Sequence, residues 1–167
     1  MESYGPNTVE VDGAIREVDN AIGELLEGLN ERNLTKAVDL IILSDHGMSA
    51  ISSSKVVRVS DMLGKDIING NSVRNYNSGP TFDISFNNKS QISEVYDKLV
   101  AAFNENTDFQ AGIQGIYTKE NMPQRFHYTN SDRIADITIL GKVGYSILRS
   151  SSSTVYGKYW NISYWKL

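Results

Sequence analysis

The sequence predicts an α/β protein: a helix-and-strand layer at the start, followed by a smaller α+β unit. Three patterns carry that reading. Apolar residues recur at helical spacing from Val11 to Leu29, a nearly continuous apolar run follows at Val38 to Ser44, and beyond Pro80 alternating strand patterns flank one further amphipathic helix. A helix followed by a buried strand is half of an α/β layer, whereas strands grouped around one helix belong to α+β units.

Asn7 followed by Glu10 reads as a helix start, Asn7 capping and Glu10 reaching back. Val11, Ile15, Val18, Ile22, Leu25 and Leu29 alternate spacings of four and three, so they share one helix face. Glu10, Asp12, Arg16, Glu17, Asp19 and Glu24 occupy the other face. A sheet is the expected partner of the apolar stripe, with a coiled-coil partner as the alternative. Val38 to Ser44 then reads as a strand buried on both faces, because its apolar positions hardly alternate.

Lys55 to Val59 predicts a short strand and Asp61 to Leu63 a turn of helix. Ile67 to Pro80, rich in Asn, Gly and Ser, predicts a loop. Thr81 to Phe86 alternates as a half-buried strand does. Ile92, Val95, Tyr96, Leu99, Val100 and Phe103 mark a helix, Ile113 to Lys119 a strand broken at Met122 and Pro123, and Ile134 to Leu140 a further strand before a turn at 141–144. The expected organisation is therefore a core layer over 1–66, a small α+β subdomain over 67–149 and an atypical tail over 150–167. That tail opens on four serines and then carries Tyr156, Tyr159, Trp160, Tyr164 and Trp165 without periodicity.

With 167 residues, 40% of them apolar and 22% charged, the chain suits one globular domain or a piece of a larger one. A net charge of −4 with no basic cluster argues against binding a nucleic-acid duplex. No apolar run reaches the roughly 18 residues a membrane span needs, and the N-terminus shows no signal-like pattern. Cysteine is absent, which excludes disulfides and thiolate metal sites. N-x-S/T sequons at Asn33, Asn88 and Asn161 keep a secretory origin open, although an Asn- and Ser-rich chain produces some by chance.

The stretch that points to chemistry is "LIILSDHGMSA", Leu40 to Ala50, where the apolar run stops at Asp45, His46 and Gly47. In parallel sheets ligands bind beyond the carboxyl ends of the strands. A carboxylate and a neutral imidazole suit zinc, and a bend lets adjacent side chains converge where strand alternation would forbid it. Gly47 is expected to turn the backbone in a conformation closed to larger residues. Asp45 and His46 are thus the candidate metal ligands, against the plainer possibility that Asp45 is a turn or cap residue.

"SDHGM" after an apolar strand resembles the metal-binding segment of the type I phosphodiesterase/nucleotide pyrophosphatase family, in the alkaline phosphatase superfamily. "YGPN" at Tyr4 to Asn7 with "VDNAIGELLEGL" at Val18 to Leu29, and "ENMPQRFHYTNSDRIADITIL" at Glu120 to Leu140, resemble further segments of it. The resemblance covers about nine-tenths of the chain and implies part of an alkaline-phosphatase-like sheet, the C-terminal portion of the catalytic domain. It also implies hydrolysis of phosphodiester or pyrophosphate bonds in nucleotides or other small molecules, by two zinc ions and a threonine nucleophile. Carried over residue by residue, Asp45 and His46 match two ligands of one zinc.

Other family positions do not match. The nucleophile segment aligns ahead of Met1, the histidine of a "P-D-x-x-G-H" motif would fall at Glu2, and "SSSSTVYGKYW" stands where a "H-G-Y-D-N" element belongs. His127, in "RFHY", matches a structural position. Arg125 and Arg133 are expected to pair with acids such as Asp132 or Asp136, with phosphate contact as the alternative. The expectation is a partial chain that is inactive alone, of secretory or cell-surface origin, prone to self-association through an unpaired strand. A non-catalytic binding module on the same scaffold, or a related phosphotransferase of the superfamily, remains the alternative.

Overall fold

Thr8, in extended conformation, accepts a hydrogen bond at its hydroxyl from the Val11 amide (3.4 Å) and so opens the first helix, α1, at Val9–Glu31. In this computed structural model, which describes residues 4, 6–44, 46–69, 73–150 and the backbone of 161–162, the cap is thus one residue later than Asn7. Asn7 sits outside the helix at φ 67°. Glu10 and Asp12 in the first turn complement the positive end of the helix dipole. Of the predicted apolar stripe only Val11 is buried; Ile15, Val18 and Leu25 remain about half exposed. The sheet expected beneath that stripe is not formed among the described residues.

The largest departure lies just beyond. Residues 38–44, predicted as a strand buried on both faces, form no strand and lie at the surface, with Ile41 79% and Leu43 77% exposed. A strand exists only through a ladder that satisfies its backbone groups, and no described strand runs beside this segment. The apolar pattern records what these side chains would bury against, not whether that neighbour is at hand.

The core is built from residue 56 onward. Strand β1 is a two-residue piece, Met48–Ser49, and β2 is Val56–Arg58. Helix α2 (Val59–Leu63) ends at Gly64, whose φ of 82° suits glycine, and α3 is Lys65–Asn69. Strand β3 (Val73–Asn77) runs antiparallel to β4 (Thr81–Phe86). Helices α4 (Ile92–Glu105) and α5 (Thr107–Gly112) lead to β5 (Ile113–Thr118), followed by β6 (Ile137–Gly141), β7 (Ser146–Leu148) and β8 (Asn161–Ile162).

A four-stranded antiparallel sheet has the order β3-β4-β6-β5; β2 pairs in parallel with β7, and β1 pairs antiparallel with β8. Thus the region read as loop over 67–80 holds the end of α3 and all of β3, and α5 was not anticipated. Polar composition hid β3, which is an edge strand of the sheet. Asn106 creates α5 by accepting at Oδ1 from the Asp108 amide at 2.8 Å.

Strand alternation sends Phe82, Ile84, Ile137 and Ile139 to one side of the sheet, where Val95 and Leu99 of α4 and Val57, Val59 and Leu63 complete one cluster. On the other side Asp83 and Thr138 stand opposite each other. Among the described residues no helix is long and apolar enough to cross a membrane.

Candidate metal centre

His46 stands between the exposed apolar segment and β1, half-exposed. Its Nδ1 lies 3.1 Å from the Gly47 carbonyl oxygen. With the ring proton on Nδ1 donated to that carbonyl, Nε2 keeps its lone pair and is the atom that can ligate a cation, the arrangement metal-binding histidines adopt. Ser44 fixes the bend: its Oγ accepts from the His46 amide at 3.3 Å, and its hydroxyl donates to the His46 carbonyl. Asp45 lies outside the described residues.

Gly47 does not behave as predicted. A Cβ placed there meets nothing within 4 Å, and its φ is not in the left-handed region. The turn is held by the serine instead, so the backbone itself makes no demand for glycine.

The donors fit zinc in part. Imidazole and carboxylate are suitable ligands, but tetrahedral sites use three or four side chains. Among the described residues no group of three His, Asp or Glu side chains converges. His127 caps a 3₁₀ turn at Gln124–Phe126 with φ 47° and is exposed.

The arginine expectation is corrected. Asp136 is bound by Lys89, whose Nζ approaches its oxygens at 2.6 Å, and Asp132 pairs with Lys119 at 3.7 Å. Arg125 lays its guanidinium over the Phe126 ring, 4.4 Å from the centroid. Lys89 reaches Asp136 only because β4 and β6 are neighbours, which sequence distance conceals.

A further titratable group, Asp83, lies on the far side of the sheet. Burial pushes the Asp83 carboxyl up, opposed by the hydroxyl of Thr138, which donates to its Oδ1 at 2.8 Å. Burial, and then the charge of Asp83, push the Tyr128 phenol up as well. The alternation of "TFDISF" already placed Asp83 opposite Phe82 and Ile84.

Against known proteins, residues 2–163 match the family described as type I phosphodiesterase / nucleotide pyrophosphatase. An uncharacterized pyrophosphatase/phosphodiesterase of Schizosaccharomyces pombe is 33% identical over 148 residues, 87% of this chain and 29% of the relative. Human ectonucleotide pyrophosphatase/phosphodiesterase family member 1 is 34% identical over 141 residues, 81% of this chain and 14% of the relative. The solved structure of human ectonucleotide pyrophosphatase/phosphodiesterase 5 superposes with a TM-score of 0.66 and 26% identity, covering 98% of this chain and 39% of that one. Its murine counterpart, an inactive variant in complex with AMP, gives the same TM-score of 0.66 at 27% identity. The chain therefore spans less than two-fifths of the length of these proteins. With its mixed α/β architecture and a family match running nearly end to end, this chain belongs to the type I phosphodiesterase/nucleotide pyrophosphatase family of the alkaline phosphatase superfamily.

Proposed function

We propose that the chain is the portion of a zinc-dependent phosphodiesterase/pyrophosphatase in which Asp45 and His46 supply two ligands of one zinc, and that alone it does not hydrolyse substrate. A nucleotide or another small phosphodiester is the proposed substrate class. The observation that carries the reading is His46: it follows the apolar run at the position the family resemblance assigns to a ligand, with Nδ1 turned to its own neighbour's carbonyl. Bound zinc would supply Lewis-acid polarisation of a phosphoryl oxygen. This chain's own part is to hold Nε2 at the bend through the Ser44 bonds.

Two ligands predict weak zinc binding. Calorimetric titration of the chain with zinc should give a low affinity that His46→Ala abolishes, while Ser44→Ala weakens it by loosening the bend. Hydrolysis of a chromogenic nucleotide phosphodiester with zinc present should stay at background. Turnover lost in Asp45→Ala would overturn the claim of inactivity, and zinc affinity unchanged in His46→Ala would overturn the ligand assignment. A non-catalytic binding module on the same scaffold is the second reading, since no group of three possible ligands lies together among the described residues; it predicts no zinc uptake at all.

A further inference from the structure

We propose that the face of the four-stranded sheet turned away from α4 binds a small alkylammonium compound, with Asp83 as its counter-charge and Tyr128 as an aromatic wall. One row of side chains crosses all four strands on that face. Asn77 of β3 stands opposite Asp83 of β4, Asp83 opposite Thr138 of β6, and Thr138 opposite Tyr117 of β5.

Asp83 is half-buried in the middle of this row. Thr138 donates to its Oδ1 at 2.8 Å, while Oδ2 is bonded by no described residue and keeps access to solvent. Asp132, Asp136 and Glu94 each hold a lysine, but no cation among the described residues pairs with Asp83. A carboxylate drawn partly out of water is costly to keep without a partner. The plainer role of a cross-strand Asp–Thr pair is to tie two strands together. That role accounts for Oδ1 and gives no use to Oδ2.

Aromatic rings stand beside the row. Tyr117 meets Phe126 nearly edge-on, with centroids 6.3 Å apart and planes at 61°. Tyr128, two residues further on, lies within the field of Asp83: burial first, and then that charge, push its phenol up. It nevertheless keeps 44% of its surface exposed, so its ring is open to a ligand. The same stretch already holds one organic cation, since the Arg125 guanidinium lies on Phe126. Ring faces attract cations through their quadrupole, and alkylated ammonium groups are the ions that rings beside a carboxylate suit best. A metal ion needs several converging oxygen ligands, and this row offers one carboxylate.

The inference is independent of the zinc reading, and its test contains no zinc. Amide chemical shifts of the full chain should be followed by NMR as tetramethylammonium chloride is added, with sodium chloride at equal ionic strength as the reference. Shifts at positions 83, 128 and 138 should move saturably with the first salt alone. Asp83→Asn, which keeps an acceptor for Thr138, should abolish that saturation while its spectrum elsewhere stays unchanged. Tyr128→Phe should retain the affinity, and Tyr128→Leu should weaken it several-fold. An equal response to the two salts, or one unchanged in Asp83→Asn, overturns the proposal. Affinity unchanged in Tyr128→Leu overturns the part given to the ring.

Discussion

Asp136 shows how one carboxylate can secure a corner of the fold. It accepts the Phe86 amide at 2.8 Å and both of its oxygens are approached by Lys89 at 2.6 Å, while its own amide donates to Ile84 O at 3.0 Å. Asp136→Ala leaves the Phe86 amide without its acceptor, at a cost of about 1–3 kcal/mol. Lys89→Ala removes only an exposed ammonium and costs ~0–1 kcal/mol. Urea midpoints of the two variants should rank in that order, and equal midpoints would contradict the importance given to the amide bond. Asp83 sets a pH dependence of opposite sign to a paired acid. Its folded-state pKa lies above the ordinary 3.8, so between those values the folded chain binds more protons than the unfolded one. Stability from this group is greatest in acid and falls as pH rises through that window. Asp83→Asn, which keeps an acceptor for Thr138, should remove this decline from a plot of melting temperature against pH.

Elements differ sharply in what holds them. Phe82, on β4, is fully buried at the centre of the cluster, whereas Ile41, in the segment 38–44, is 79% exposed. Phe82→Ala should cost about 3–5 kcal/mol through lost burial and a residual cavity. Ile41→Ala should leave the unfolding midpoint nearly unchanged, since most of its side chain is exposed. A large loss at Ile41 would mean that residues 38–44 pack in solution as they do not pack here. At the other extreme of tightness, α5 ends at Gly112, where an added Cβ would come within 2.5 Å of Val57 Cγ2. Gly112→Ala therefore belongs with the overpacking substitutions, ~1–3 kcal/mol.

For the whole molecule the contrast becomes a question of solution behaviour. Most of the exposed large apolar side chains precede residue 44, and none of the central core cluster does. Exposed apolar surface on this scale drives association. Light scattering of the chain should show a mass that rises with concentration, and the double substitution Ile41→Lys and Leu43→Lys should bring it back toward the monomer. A monomer at every concentration in the unsubstituted chain would remove self-association from the account.

The amino-acid order alone determined the elements that are local in origin. The stripe from Val11 to Leu29 made α1, Ile92 to Phe103 made α4, the alternation at Thr81–Phe86 made β4 and the run at Ile113–Lys119 made β5, because helical and strand preferences are written in neighbouring side chains. The end of the apolar run at a polar Asp-His-Gly stretch is likewise visible without any fold. Tertiary structure decided what depends on partners. It turned the polar stretch before Pro80 into an edge strand on β4, gave Asp136 to Lys89 instead of an arginine, and left the apolar run at 38–44 exposed without a ladder. Periodicity states which surface a segment would bury; only the chain's path through space supplies, or withholds, the surface that buries it.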